Sequence, residues 1–247
     1  MALINVGSGA NDGTGDPLRT AFSKINTKMD ELVSVKDSAY GAVGDGVTDD
    51  TAAFNAALLA SSCVYVPPGT YKIASTISLQ QDGNMLIGSG SDTVLSYTGT
   101  SDAILVSGIS YGAVRNLFLD VGSSATAVGL HIKTGGGGAA GAFRNSFSGL
   151  HIHASSITAG QKGVWLEWGG GTNGPWFNNF EDIGIVGMAS PLVLSGTANQ
   201  NRFVNVGVEK FGSGATGYGV DCSGSNNTFF GLTFSRGWSA ATRLYGF

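Results

Sequence analysis

One pattern returns four times in the second half of this chain, and it restricts the fold more than any other feature. Asn145, Phe147, Leu150 and Ile152 have equivalents in Asn178, Phe180, Ile183 and Ile185. They recur as Asn201, Phe203, Val206 and Val208, and again as Asn227, Phe229, Leu232 and Phe234. Alternation at period two marks each copy as a strand. A unit this short buries no core alone and gains one from its neighbours, so the copies must stack. Stacking puts Phe147, Phe180, Phe203 and Phe229 in one internal ladder, and Asn145, Asn178, Asn201 and Asn227 in another at a turn. A weaker copy ends in Leu117, Phe118 and Leu119.

A second strand recurs between the copies: Leu130–Ile132, Val164–Leu166, Leu192–Leu194 and Val220–Cys222, with Leu244 marking a fifth. The first strands recur from Leu117 at intervals of 33, 33, 23 and 26 residues. The short intervals suit bare coils of a parallel solenoid, and the long ones carry insertions. Counting within each coil puts the extra residues at Thr134–Ala142 and Gly169–Pro175, at the same corner of successive coils. Such insertions either build a binding lip or are tolerated loops.

Only 12% of the 247 residues are charged, and 40 are glycine. The surface must therefore be built from Ser, Thr, Asn and Gly, through many tight turns. A net charge of −4 provides no basic field for nucleic acid. Neither run of sequence around Cys63 and Cys222 implies a disulfide framework, and both are expected to be buried free thiols. No stretch of 18 apolar residues suggests membrane insertion, and no basic-then-apolar leader opens the chain. That suits a protein assembled in a cytoplasm and released by lysis. No polar cap follows Leu244, so either the solenoid continues in a longer protein or another chain covers its end.

Gly41, Gly44 and Gly46 predict a turn run, followed by a helix over about residues 49–59. Thr48 is expected to be its N-cap, with Asp49 and Asp50 at the positive end of its dipole. Phe54, Ala57 and Leu58 share one apolar face. Pro67, Pro68 and Gly69 stop and turn the strand that begins near Val64. The residues Gly41 to Thr51, Val64 to Tyr71 and Leu86 to Ser91 closely resemble the start of the pectate-lyase-like right-handed β-helix family, found in bacteriophage tailspikes and some polysaccharide-degrading enzymes. The sequence departs from the family pattern at Ser38, Ala39 and Tyr40. The resemblance implies an all-β, right-handed parallel β-helix with an N-terminal capping helix. It does not fix the reaction, because one fold hosts many chemistries.

Residues 1–35 form a separate segment, ahead of a β-helix domain over residues 36–247. Asp16 and Pro17 open a helix as N-cap and first helical residue. Leu18, Phe22, Ile25, Met29 and Leu32 follow at heptad spacing. The seam either packs on its own domain or associates chains, and association between chains is the preferred expectation. Residues from Asn5 to Asn26 also look like an N-terminal segment of phage baseplate and tail-fibre proteins. That resemblance implies a short α-helical trimerisation segment that docks a homotrimer on tail or baseplate proteins of the virion. Asn11 to Asp16 lacks the spacing and terminal glutamate of a calcium loop and is read as a turn.

Glycoside hydrolysis needs two carboxylates roughly 5 to 9.5 Å apart. Neither outward column of the repeat offers such a pair: one reads His131, Trp165, Val193 and Asp221, the other His151, Gly184, Gly207 and Thr233. The best local grouping flanks the second insertion. Glu167 precedes it, Glu181 and Asp182 follow it, and Trp165, Trp168 and Trp176 surround it. Aromatic faces suit sugar rings, and the three carboxylates are the candidate catalytic residues. The competing reading makes the tryptophans loop packing and the acids solvated turn residues. Arg144, Arg202 and Arg236 lack the acidic calcium ladder a lyase would want. His131, His151 and His153 read as surface residues without a third metal ligand, so no metal or cofactor is implied. Gly88, Ser89 and Gly90 read as a turn rather than a phosphate loop. The expected role is a trimeric tailspike or tail fibre that recognises host surface polysaccharide. A capsule- or lipopolysaccharide-degrading depolymerase is the first alternative, and a free pectate-lyase-like enzyme is the second.

Overall fold

The structure is a computed structural model that describes residues 5, 6, 8, 13–29, 33–135, 140–209 and 219–235. The chain forms two compact units, Met1–Val33 and Ser34–Phe247.

In the first unit the helix α1 spans Leu18–Met29. Pro17 lies one residue before it, and its carbonyl accepts the Ala21 N–H at 3.0 Å. Asp16 does not cap the helix with its carboxylate as expected. Oδ2 instead accepts the Asn5 N–H at 2.8 Å and the Lys24 ammonium at 2.7 Å. These bonds hold its carboxyl below the usual carboxylate range, the Lys24 bond first. Leu18, Phe22 and Ile25 are exposed, 74%, 55% and 37% respectively, so this stretch of the seam is uncovered. Met29 is the last residue of α1; its side chain and Leu32 lie outside the described residues.

The second unit is a right-handed parallel β-helix, the hand that parallel crossovers adopt because of strand twist. Its first sheet runs through Cys63–Tyr65, Met85–Tyr97, Ala113–Asp120, Ser146–His153, Asn179–Val186 and Arg202–Glu209. Thr228–Phe230 and Thr233–Ser235 pair with the last of these. Its second sheet runs through Ile77–Leu79, Asp102–Ser107, Val128–Lys133, Lys162–Glu167, Ser190–Leu194 and Val220–Cys222. The predicted registers hold. Leu117, Leu150, Ile183 and Val206 align in the first sheet, and Leu130, Val164, Leu192 and Val220 in the second.

Both predicted ladders form. The rings of Phe147, Phe180, Phe203 and Phe229 stack at centroid separations of 4.9, 4.6 and 4.8 Å. The asparagines are knitted by their amides. Asn178 Oδ1 accepts Asn145 N–H and Nδ2–H, while Asn178 Nδ2 donates to Ala142 O and to Asn201 Oδ1. Asn201 and Asn227 repeat the scheme one coil on. These side chains satisfy backbone groups that the turn would otherwise bury unpaired.

Two columns of left-handed backbone accompany the first sheet, one within its strands and one just before them. Asn116, Gly149, Asp182, Asn205 and Gly231 bend the first-sheet strands, with φ of 51° to 66°. Gly83, Tyr111, Arg144, Phe177, Gln200 and Asn226 precede the ladder positions, with φ of 54° to 78°. For a residue with a Cβ, this conformation costs roughly 1–2 kcal/mol.

The capping helix α2 spans Thr51–Ala60 and buries Phe54, Ala57 and Leu58. Its entry differs from expectation. Thr48 belongs to the strand Asp45–Asp49, which pairs with Gly69–Ile73, and its hydroxyl donates to Asp45 Oδ2. Asp49 supplies the cap contact instead, accepting Thr51 N–H at 3.1 Å and the Thr51 hydroxyl at 2.6 Å. The buried Asp50 turns away to bind the Val43 and Gly44 N–H groups. Tyr71 packs edge-on against Phe54 at 5.3 Å, and burial together with the Asp50 charge pushes its phenol up to about 12.

Three other expectations need correction. Gly88, Ser89 and Gly90 lie inside the strand Met85–Tyr97 and form a bulge, not a turn. The register shifts around Gly90, which has φ of 95°, while Ser89 N–H donates to Thr93 Oγ1. Both cysteines are free, but Cys63 is only half-buried and Cys222 is exposed near the end of the second sheet. His131 is buried, at 3% exposure. No helix among the described residues is long and apolar enough to cross a membrane.

Candidate functional site

The outer face of the second sheet gathers the chemistry. Leu105, His131, Trp165 and Val193 occupy one column by strand register. The imidazole of His131 lies flat against the Trp165 indole, 4.2 Å between centroids and 6° between planes. Its Nδ1 is 2.9 Å from Asp102 Oδ1. Glu167 Oε2 lies 3.1 Å from Nε2 but makes no directed hydrogen bond with it. Lys162 Nζ sits 4.2 Å from the centroid of the Trp165 ring, a cation–π contact. Asp102 is 14% exposed and Glu167 is 33% exposed, so Glu167 is the carboxylate that faces solvent.

The three candidate tryptophans converge on one turn, at Ser195, Gly196 and Thr197. Trp165 Nε1 donates to Ser195 Oγ at 3.4 Å. The Trp168 ring lies over Gly196, where an added Cβ would stand 2.7 Å from it. Trp176 Nε1 donates to the Thr197 carbonyl. Trp168 remains 39% exposed. Trp176 also faces Phe143 at 5.5 Å, because Ala142–Phe143 and Pro175–Trp176 pair as a small parallel sheet. The two insertions therefore meet at one corner, with residues 136–139 of the first outside the described part.

Glu181 and Asp182 are elsewhere. They lie on the first sheet, where Glu181 aligns with Ser148 and Val204. Asp182 has φ of 54° and accepts a hydrogen bond from Asn205 Nδ2 at 3.1 Å. It fills a place in the left-handed bend column, which Asn, Asp and Gly tolerate best. The corner between Glu167 and Glu181 sends these sequence neighbours to different sheets, so the three carboxylates do not form one cluster. Asp102 and Glu167 both touch the His131 ring, which occupies the space between them. A glycosidic oxygen or hydrolytic water would need that space.

A second aromatic group lies on the outer face of the first sheet. Phe118 stacks on His151 at 4.8 Å, and His153 Nδ1 is 3.4 Å from Asp120 Oδ1. Partial desolvation of this otherwise exposed ring and the neighbouring His153 hold the His151 pKa below its usual value, opposed by Glu209. Gly184 and Gly207 continue the column with no side chain above the sheet. Among the described residues no group of three His, Cys, Asp or Glu is placed to hold a metal ion.

Asp102 escaped the sequence reading because its strand precedes the recognisable copies of the repeat. The strand spacing that aligns Leu105 with His131 is the signal that would have found it.

Comparison with known proteins agrees with this architecture. The pre-neck appendage protein of Bacillus phage B103 is 29% identical over 233 residues, covering 79% of this chain and 26% of that protein. Bacteriophage phi29 gene product 12 superposes with a TM-score of 0.61 at 20% identity, over 89% of this chain and 31% of that one. The enzymatically active domain of bacteriophage CBA120 tailspike protein 2 gives 0.62 at 16% identity, over 81% and 30%. The chain thus spans about a quarter to a third of the length of these proteins. Residues 32–226 match the description rhamnogalacturonase A/epimerase, pectate lyase-like, and the chain belongs to that family.

Proposed function

We propose that the protein is part of a phage tailspike or appendage and binds host surface polysaccharide through the outer face of its second sheet. The observation that carries this reading is the half-buried Trp165 indole stacked on the Asp102–His131–Glu167 cluster, with exposed Trp168 beside it. An indole face with fixed carboxylates at its edge offers a sugar both a stacking surface and hydroxyl acceptors. Similarity to a phage pre-neck appendage protein supports the virion setting. In this reading residues 1–35 dock the protein on tail or baseplate proteins after assembly in the host cytoplasm. The seam of Leu18, Phe22, Ile25, Met29 and Leu32 holds a homotrimer.

Binding rather than cleavage is favoured because His131 fills the gap between Asp102 and Glu167. The test is calorimetric binding to a panel of bacterial capsular and lipopolysaccharide glycans, with release of reducing ends and unsaturated sugars measured in parallel. Binding that falls at least tenfold in Trp165→Ala, without cleavage, is the expected result. Cleavage abolished by Glu167→Ala would convert the reading to a depolymerase. Binding unaffected by Trp165→Ala would remove this face from the function. Native mass of the whole chain, compared with a version lacking residues 1–35, tests the trimer.

A further inference from the structure

The column of residues preceding the asparagine ladder contains side chains that its backbone does not favour. Gly83 and Asn226 are types that adopt left-handed backbone readily. At intervening coils the same position holds Tyr111, Arg144, Phe177 and Gln200, with φ of 61°, 54°, 59° and 57°. Burial does not compensate for the strain, because Tyr111 is 62% exposed and Phe177 is 47% exposed. The turn imposes this backbone at every coil, so what calls for a role beyond packing is the choice of exposed aromatic side chains where Asn or Gly would fit without strain.

Tyr111, Arg144 and Phe177 form one continuous surface. Arg144 donates to the Tyr111 hydroxyl at 3.1 Å, and its guanidinium carbon lies 5.8 Å from the Phe177 ring centroid. Among the described residues no carboxylate pairs with Arg144. Beside them, Phe143 and Trp176 make the floor of the insertion corner. Tyr111 and Phe177 are two coils apart, roughly 10 Å at the usual strand spacing. That distance is of the order of a disaccharide repeat. The guanidinium between them is the group best suited to a planar or tetrahedral oxyanion.

We propose that Tyr111, Arg144 and Phe177 form a binding site for an acidic polysaccharide, the two rings stacking on sugars of one chain and Arg144 pairing with its carboxylate or phosphate. The site deepens the polysaccharide-binding reading and rests on it. It lies at the ladder corner, apart from the column of His131 and Trp165.

Backbone preference gives a clean experiment. Tyr111→Asn and Phe177→Asn install a residue that suits left-handed backbone, so a purely structural role predicts no loss on substitution. Arg144→Gln removes the charge. The full chain and each variant are titrated calorimetrically with oligogalacturonate, phosphomannan and neutral dextran, with melting temperature and native mass recorded. The expected result is binding to an acidic chain over dextran, weakened about tenfold or more by each variant. Melting temperatures stay unchanged or rise. The acidic chain that binds identifies carboxylate or phosphate as the partner of Arg144. Equal affinity for dextran, binding to neither acidic chain, or retained binding in Arg144→Gln overturns the proposal. A reduced native mass in the variants also overturns it, by assigning the surface to contact with a second copy. Loss in Trp165→Ala with no loss in the three variants overturns this site alone. Failure of the parent chain on the whole bacterial glycan panel overturns the polysaccharide reading as well.

Discussion

Replacing Asn178 with alanine should be among the most damaging single substitutions in the β-helix. The side chain is fully buried and makes four hydrogen bonds. Without it the Asn145 N–H loses its acceptor, and the Ala142 carbonyl loses this donor. Asn145 Nδ2 keeps its bond to Ile109 O, and Asn201 Oδ1 keeps the Asn178 N–H. An orphaned buried backbone group costs about 1–3 kcal/mol and each lost bond about 1 kcal/mol, so the expected loss is roughly 3–5 kcal/mol. Asn227→Ala is the comparison. It breaks equivalent bonds to Asn201 and Ala198, but its site is half-exposed and water can replace them. Its expected cost is about 1–2 kcal/mol. Urea unfolding followed by circular dichroism measures both. Stacked coils can unravel in pieces, so hydrogen exchange at the Asn145 amide should accompany it. A loss below about 1 kcal/mol for Asn178→Ala, or no greater than for Asn227→Ala, would refute the accounting of satisfied turn groups.

Phe180→Ala removes a fully buried ring from the stack and should cost about 3–5 kcal/mol by denaturant midpoint, whereas Phe229→Ala, at a half-exposed ring, should cost much less. Gly187 has φ of 79° and an added Cβ would stand 2.2 Å from the Ala154 carbonyl oxygen. Gly187→Ala should therefore destabilise by about 2 kcal/mol or more, while Gly184→Ala, with 3.5 Å of clearance to His151, stays within about 0.5 kcal/mol. His151 has a folded pKa below its ordinary 6.5, so the unfolded chain takes up the proton first as pH falls. Its contribution is intact above pH 6.5 and is lost as pH drops through the folded value; His151→Gln should flatten that limb of a stability–pH profile. The limb from Asp45 and Asp49 lies lower, because hydrogen bonds from Thr48 and Thr51 hold both below 3.8, and it should remain.

The ladders were readable because a stacked chain repeats the same demand at each coil. An asparagine that must satisfy a turn, or a ring that must meet a ring, leaves the same letter at the same interval. The surface obeys no such rule. His131 was correctly placed beside Trp165, yet its contact with Asp102 went unread because Ile104–Val106, an earlier copy of the second strand, was not counted among the repeats. Glu167 and Glu181 looked close because only a corner separates them in sequence, and that corner carries them to different sheets. Thr48, a good cap by residue type, was taken by a strand pairing with Gly69–Ile73; the cap position falls two residues later at Asp50, and Asp49 supplies the carboxylate that accepts the Thr51 N–H. Tyr111, Arg144 and Phe177 were missed because nothing in their own letters reports left-handed backbone. For Arg144 and Phe177 the asparagine that follows does, whereas Tyr111 precedes Gly112 and is placed only by the register of that coil with Asn145.

The ladder also sets the increments in which this protein can change length. Asn178 and Asn201 hold equivalent places 23 residues apart, and Asn145 and Asn178 hold theirs 33 apart. Excising residues 179–201 would bring Arg202 behind Asn178 and set Phe203 against Phe147, with every column still continuous. Excising a few residues more or fewer would turn core side chains outward along a strand. Insertions and deletions are therefore cheap in two forms only, as whole coils or as loop at the corner between the sheets. Lineages built on this plan should differ by coil number and corner length while the letters of the ladders stay fixed.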